Sequence, residues 1–180
     1  NCGVTRVIHQ DNKILIEDTQ GNQDFFDQVV FACHADQALN TLENPPLDVL
    51  SVLSAFTYQK NHIIVHSDTS FMPQNKKCWA SWVYLSDTRS DEKPAVSLSY
   101  WMNNLQNLNT DKPVIVTLNP GKRPDKNLIF DEHIFFHPVF DRHAIEAQEQ
   151  IKTIQGKNGM WFCGAYQRYG FHEDGLLSAV

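Results

Sequence analysis

Apolar and polar positions alternate from the start of the chain in the way β-strands require. Val4-Thr-Arg-Val-Ile8, Lys13-Ile-Leu-Ile-Glu17 and Phe25-Phe-Asp-Gln-Val-Val-Phe-Ala32 are three such runs, joined by the turn-forming stretches Gln10-Asp-Asn12 and Thr19-Gln-Gly-Asn22. The pattern predicts a three-stranded meander. Its last strand ends in Val29-Val-Phe-Ala32, a continuous apolar stretch suited to burial on both faces. The period then changes: His34 to Leu42 carry apolar residues at helical spacing, Asn44-Pro-Pro46 stops that helix, and a second short one is expected from Leu47 to Leu53. Tyr58 to His66, Cys78 to Leu85, Ala95 to Met102 and Pro113 to Leu118 have strand composition, with a polar loop from Ser86 to Lys93, and predict one mostly antiparallel sheet. Another apolar run, Ile134-Phe-Phe136, follows Asn119-Pro-Gly121. Asp141 is placed to cap a helix through about Gln155 with Ile145, Ala147 and Ile151 inward; Gly156-Lys-Asn-Gly159 ends it, and Met160 to Cys163 reads as a last strand.

The closing stretch, Trp161 to Val180, reads as that strand, a glycine-containing turn and the first turns of a helix. A helix start reached through such a turn presents free N–H groups and a positive dipole end, which suits an anion or a polarised carbonyl. The chain stops inside Leu176-Leu177-Ser178-Ala179-Val180 and begins at Asn1, so it is expected to be an internal piece of a longer protein. A meander first, a sheet in the middle and a strand-turn-helix last define an α+β fold in which the middle sheet is inserted into a discontinuous outer domain.

Composition narrows the classes. With 180 residues, 42% of them hydrophobic and 20% charged, the chain can bury a sizeable core. A formal charge of −6 with scattered basic residues argues against nucleic acid as a partner. No run of about twenty apolar residues exists, so no transmembrane segment is expected. Cys2, Cys33, Cys78 and Cys163 lie far apart without a Cys-x-x-Cys pair, which fits free thiols in a reducing cytoplasm.

Most chemistry-bearing residues have an ordinary reading. His133 and His137, like His62 and His66, are four apart, but in segments of strand composition where that spacing does not join two imidazoles. They are read as polar residues at strand edges, and no metal is expected. No Gly-x-Ser-x-Gly elbow is present, and Cys163 ends an apolar strand, where a small buried hydrophobe is the usual occupant. Asp131-Glu132 and Glu173-Asp174 are sequence neighbours and do not face each other. Trp79-Ala-Ser-Trp82-Val-Tyr84, with Tyr100-Trp101, is more informative: Trp82 and Tyr84 share one face of a strand and Trp79 takes the other. Core packing is one reading of this cluster; the other is the wall of a substrate pocket formed by Trp82, Tyr84 and Trp101.

The ends of the chain, taken together, resemble the flavin-containing amine oxidoreductase superfamily, which includes monoamine oxidase, protoporphyrinogen oxidase and phytoene desaturase relatives. The closing part of the resemblance is Phe162-Cys-Gly164-Ala165 followed by Gly170-Phe-His-Glu173-Asp-Gly175-Leu-Leu-Ser-Ala179. Its opening part is Val4 to Ile8 with Phe26-Asp-Gln-Val-Val-Phe-Ala32. More narrowly, His34-Ala-Asp-Gln-Ala-Leu39, Met72-Pro73, Trp79-Ala-Ser-Trp82, Tyr100-Trp-Met-Asn103, Thr117-Leu-Asn-Pro120, His137-Pro138 and Gly170 to Gly175 resemble a bacterial group described as predicted NAD/FAD-binding amine-oxidase-like proteins.

The resemblance implies a FAD-binding, Rossmann-like lobe from residues 1–45 and 139–180, and a substrate lobe from residues 46–138. By position, Val4 would meet the adenine end through its backbone, and Gly164 and Ala165 would lie beside the ribityl-pyrophosphate. Gly170, Phe171, His172 and Glu173 would form the turn whose amides approach the flavin pyrimidine. The implied activity is hydride transfer from an apolar or lipid-like small molecule to flavin, with no side chain assigned to catalysis. The Gly-x-Gly-x-x-Gly phosphate fingerprint is absent, so this piece alone is expected to bind FAD weakly or not at all and to be inactive. The alternative is a non-catalytic binding or dimerisation module that keeps the fold. Surface left open by truncation would favour a homo-oligomer.

Overall fold

The computed structural model describes residues 2–86 and 96–180. In chain order the elements are β1 (Val4–Gln10), β2 (Lys13–Asp18), β3 (Gln23–Phe26), β4 (Val29–Phe31), α1 (Ala35–Thr41), α2 (Leu47–Ser54), β5 (Thr57–His66), β6 (Trp82–Ser86), β7 (Val96–Trp101), α3 (Met102–Leu105), β8 (Ile115–Leu118), β9 (Ile129–Val139), α4 (Arg142–Gln150), β10 (Met160–Phe162) and α5 (His172–Leu177). The fold is α+β. Residues 87–93 of the expected loop, and the expected strand start at Ala95, lie outside the described residues. Two compact units emerge: one from residues up to Gln59 together with His137–Val180, the other Lys60–Phe136.

In the first unit, β1, β2 and β3 form the meander. Asp11 and Asn12, both at positive φ, make the two-residue turn between β1 and β2, a backbone shape that Asp and Asn tolerate. The third apolar run does not form one strand. Phe25 and Phe26 pair with Leu15 and Ile14, whereas Val29–Phe31 pair in parallel with Met160–Phe162. The break falls at Asp27-Gln28, where the Asp27 carboxylate pairs with Lys13. Gly159, at φ +73°, fits against the same bend: a Cβ there would lie 2.6 Å from the Asp27 carbonyl oxygen. Nor is β4 buried on both faces. Phe31 is buried but Val30 is 60% exposed, because only one face of the β4–β10 pair is covered. That face meets Ala35 and Ala38 of α1, Val49, Val52 and Leu53 of α2, and Ala144 and Ala147 of α4.

Helix α4 begins as expected, with Asp141 Oδ1 accepting from Ala144 N at 2.9 Å. It is shorter than expected, passing into a 3₁₀ turn at Ile151–Thr153. Its inward stripe is Ala144, Ala147, Ile151 and Ile154, and Ile145, expected inside, is exposed. At 100° per residue, Ile145 lies off the line joining those four positions. Asp141→Ala is expected to cost about 1 kcal/mol through the lost cap, read as a lower urea midpoint at an unchanged slope.

In the second unit, the strand order is β6-β7-β8-β5-β9, with the pairings of β6 to β7, β7 to β8 and β8 to β5 antiparallel. β6 starts later than Cys78. Asn75 accepts from Lys77 N and draws Lys76–Cys78 into a 3₁₀ turn, so Trp79 precedes the strand and does not occupy one of its faces. Trp79 instead donates its indole N–H to the Pro73 carbonyl, and its ring meets Trp101 edge-on at 5.2 Å.

Candidate functional site

The parallel pair β4–β10 sets the site. Val29, Val30 and Phe31 stand beside Met160, Trp161 and Phe162, and Cys163 N extends the ladder by donating to Phe31 O at 3.0 Å. Phe31 and Phe162 stack at 5.1 Å on the covered side. The outer edge of β10 is met by side chains: Gln155 accepts from Phe162 N at 2.8 Å and donates to Phe162 O at 2.6 Å, occupying both backbone groups as a neighbouring strand would, and Gln167 Nε2 donates to the same oxygen at 2.7 Å. Both strands therefore end side by side, and the residues that follow them, Ala32-Cys33-His34 and Cys163-Gly164-Ala165, diverge from adjacent carboxyl ends. In open parallel sheets this is where ligands bind.

Two cavities border these segments, one along β4 and one between the residues that follow β4 and β10. One, of about 530 Å³, is lined by Val4, Val7, Ile16, residues 29–33, and Gln37, Asn40 and Thr41 of α1. The other, of about 350 Å³, is lined by Ala32, Cys33, His34, Tyr58, Pro138, residues 163–166 and Gly175. Ala32 and Cys33 line both, so the two cavities border the same two-residue segment. These volumes suit a nucleotide-sized organic ligand.

Among the described residues, the walls carry no Asp or Glu. Burial pushes the Cys33 and Cys163 thiols up from their ordinary value, which keeps them protonated. Burial likewise pushes the Tyr58 phenol up to about 12 and raises that of Tyr166. Tyr58 accepts from Ala35 N at 2.8 Å while His34 stacks on its ring at 4.3 Å. His137 is pushed down, first by burial and then by His34. No Lys or Arg lines either cavity.

The structure distributes the expected cofactor residues. Val4 lines the larger cavity, and Gly164 and Ala165 line the smaller. Gly164 has a packing role as well: a Cβ there would lie 2.6 Å from the Tyr166 ring, and its N–H donates to Ser178 Oγ at 2.8 Å. Tyr166 is buried edge-on against Phe56 and cannot yield freely. Gly164→Ala is therefore expected to cost about 1–3 kcal/mol in thermal unfolding.

Gly170, Phe171, His172 and Glu173 line neither cavity. Asp174, buried at the first turn of α5, accepts from Tyr169 N at 3.2 Å and Phe171 N at 2.9 Å, so the Phe171 amide faces its own helix. Residues that sequence reasoning missed include Gln155, which bonds the Phe162 backbone, and His34 and Tyr58, which stack on each other across a long sequence separation.

The expected substrate wall is a separate feature in the second unit. Trp82 and Tyr84 share a face, and their register partners Tyr100 and Leu98 extend it through Val116 and Leu118 of β8 to Val65 and Ile63 of β5. This entire face is aliphatic or aromatic, with Trp82 and Tyr84 exposed. Trp101 does not join it. One residue beyond Tyr100, it lies on the opposite face beside Ile115 and packs on Trp79.

That opposite face carries Ser97, Ser99, Thr117 and His66, and it is the buried one. His66, expected at a strand edge, is fully buried. Asp68 N donates to its Nδ1 at 3.1 Å, so Nε2 carries the proton and donates to Thr117 Oγ1 at 2.8 Å; Thr117 in turn bonds Ser99 at 2.8 Å. His62 is half-buried and meets the Glu132 carboxylate at 2.5 Å. No group of three or more His, Cys, Asp or Glu side chains suited to a metal ion occurs among the described residues.

No family model matches the chain, and no curated protein matches it in sequence. Solved structures do share its fold. The CLA-producing fatty acid isomerase from P. acnes aligns over 98% of this chain and 45% of that protein, with a TM-score of 0.64 and 15% identity. Reduced UDP-galactopyranose mutase aligns over 91% of this chain and 41% of that protein, with a TM-score of 0.57 and 11% identity. The chain thus has a fold found in enzymes, and it spans less than half the length of either. No helix among the described residues is long and apolar enough to cross a membrane.

Proposed function

We propose that this chain is part of a FAD-dependent, amine-oxidase-like oxidoreductase that takes a hydride from an apolar, lipid-like substrate. The observation that carries the reading is the pair of neighbouring cavities that share Ala32 and Cys33 as lining, the larger bordered by Val4 and the smaller by Gly164 and Ala165. FAD, when bound, supplies the two-electron acceptor. The chain's own part is to hold the cofactor and exclude water. Apolar walls from Val7, Ile16 and Phe31, with the Gln37 and Asn40 amides at one side, suit uncharged rings. The same walls offer no cation for a pyrophosphate, so phosphate donors would come from a glycine-rich segment elsewhere in the longer polypeptide.

The apolar face from Trp82 to Val65 supports the substrate class, since it can order a hydrocarbon without polar partners. A fatty acid isomerase among the structural neighbours supports the same choice. The longer protein, purified from the full reading frame, is expected to show an oxidised-flavin absorption spectrum, with FAD released on denaturation. A colourless protein that takes up no added FAD would sink this reading and leave the binding module.

A further inference from the structure

Strand β9 stands at the edge of the five-stranded sheet with eight consecutive residues, Phe130 to His137, exposed. Ile134, Phe135 and Phe136 are 49%, 52% and 51% exposed, which leaves apolar side chains open on both faces of the strand as well as along its free edge. Sheet proteins usually protect such an edge with lysines, an interior proline or a short strand. Here the strand is eleven residues long, contains no lysine, and has its one proline, Pro138, next to the end.

The sequence of β9 is complementary to its own reverse. Laid antiparallel on a second copy with Ile134 opposite Ile134, it places His133 against Phe135, Glu132 against Phe136, Asp131 against His137, and Phe130 against Pro138. No like charges face each other: Asp131, which bonds His133 Nε2 of its own chain at 2.8 Å, meets the imidazole of His137, Glu132 meets a phenyl ring, and the remaining contacts are between aromatic and aliphatic side chains. Glu132, the remaining acid, is already matched within its own chain by Arg123, at 3.1 and 2.6 Å, and by His62. Moving the axis by one residue, to His133, would set Asp131 against Phe135 and Glu132 against Ile134, with His133 facing itself.

We propose that β9 joins two copies of this chain edge to edge, in antiparallel register about Ile134. The pairing extends each five-stranded sheet into its partner through an added antiparallel ladder. The interface is one strand wide, so the association is weak, with a dissociation constant on the order of 10–100 μM.

Sedimentation equilibrium tests this directly. The weight-average mass is expected to climb from near the 20.7 kDa of one chain toward twice that value as concentration rises from roughly 5 to 500 μM, spanning the expected constant. Ile134→Lys sets two ammonium groups against each other on the axis and is expected to hold the mass at one chain, with an unchanged far-UV spectrum. A second variant does not depend on a charge being tolerated. With Cys2 and Cys78 replaced by Ser, Ile134→Cys is expected to cross-link to its own mate under mild oxidation, whereas Phe130→Cys, facing Pro138, is not. A wild-type mass that stays at one chain overturns the proposal. So does a dimer that survives Ile134→Lys without an Ile134→Cys cross-link, which would place the contact on another face.

Discussion

Phe162→Ala is expected to destabilise the first unit by about 3–5 kcal/mol, the cost of deleting a buried aromatic ring and leaving part of its cavity unfilled. Phe162 is 1% exposed and stacks on Phe31, and its backbone is the segment held by Gln155 and by Gln167, whose Nε2 donates to Phe162 O at 2.7 Å. The substitution removes the side chain that keeps β4 and β10 level, so Cys163-Gly164-Ala165 should lose position with it. Hydrogen exchange of the β4 and β10 amides measures both effects. An exchange rate unchanged within a few-fold would show that the pair is held by its backbone ladder alone.

The second large effect is expected at Thr117. Thr117→Val keeps shape but leaves the His66 Nε2–H and the Ser99 hydroxyl without their partner inside the sheet. At about 1–3 kcal/mol for each of the two stranded groups, a loss of roughly 2–6 kcal/mol is expected in urea unfolding. The same network makes stability depend on pH. Burial lowers the His66 pKa, against a smaller opposing influence from Asp68. A base whose folded pKa lies below its unfolded value of about 6.5 binds its proton more readily when unfolded. Its contribution is therefore complete above about pH 6.5 and is lost as the pH falls toward the folded value. Urea midpoints measured from pH 8 downward should fall more steeply for the native chain than for a variant with His66 replaced by Gln. Equal slopes would assign the acid sensitivity to other groups.

Local pattern was enough to place most of the elements and not enough to pair them. Alternation marked β1 and β2, helical spacing marked α1, and Asp141 marked the start of α4, because each depends on residues within one or two turns. The parallel pairing of Val29–Phe31 with Met160–Phe162 joins segments far apart in the chain, and no property of either segment names the other. For that reason the run from Phe25 to Ala32 reads as one strand, although two different sheets claim its halves.

Polarity alone does not tell which face of the sheet is buried. Ser99, Thr117 and His66 are hydrophilic residues, yet they point inward because they satisfy one another, and the apolar set around Trp82 is the open one. The parity of Trp82 and Tyr84 was legible from their spacing, whereas the departure of Trp101 required the register with β8. Lys76–Cys78 had a local signal in Asn75, a capping residue two positions before the amide it accepts, outweighed by the aromatic composition that follows.

The bordering of both cavities by Ala32-Cys33 gives the molecule a built-in reporter. An occupant of either chamber would shield the same sulfur, so the rate at which a small alkylating reagent labels Cys33 records total occupancy. A ligand long enough to fill both chambers and one that enters only the first would leave the same chemical footprint, and the two could be told apart by Cys163, which borders the smaller chamber alone.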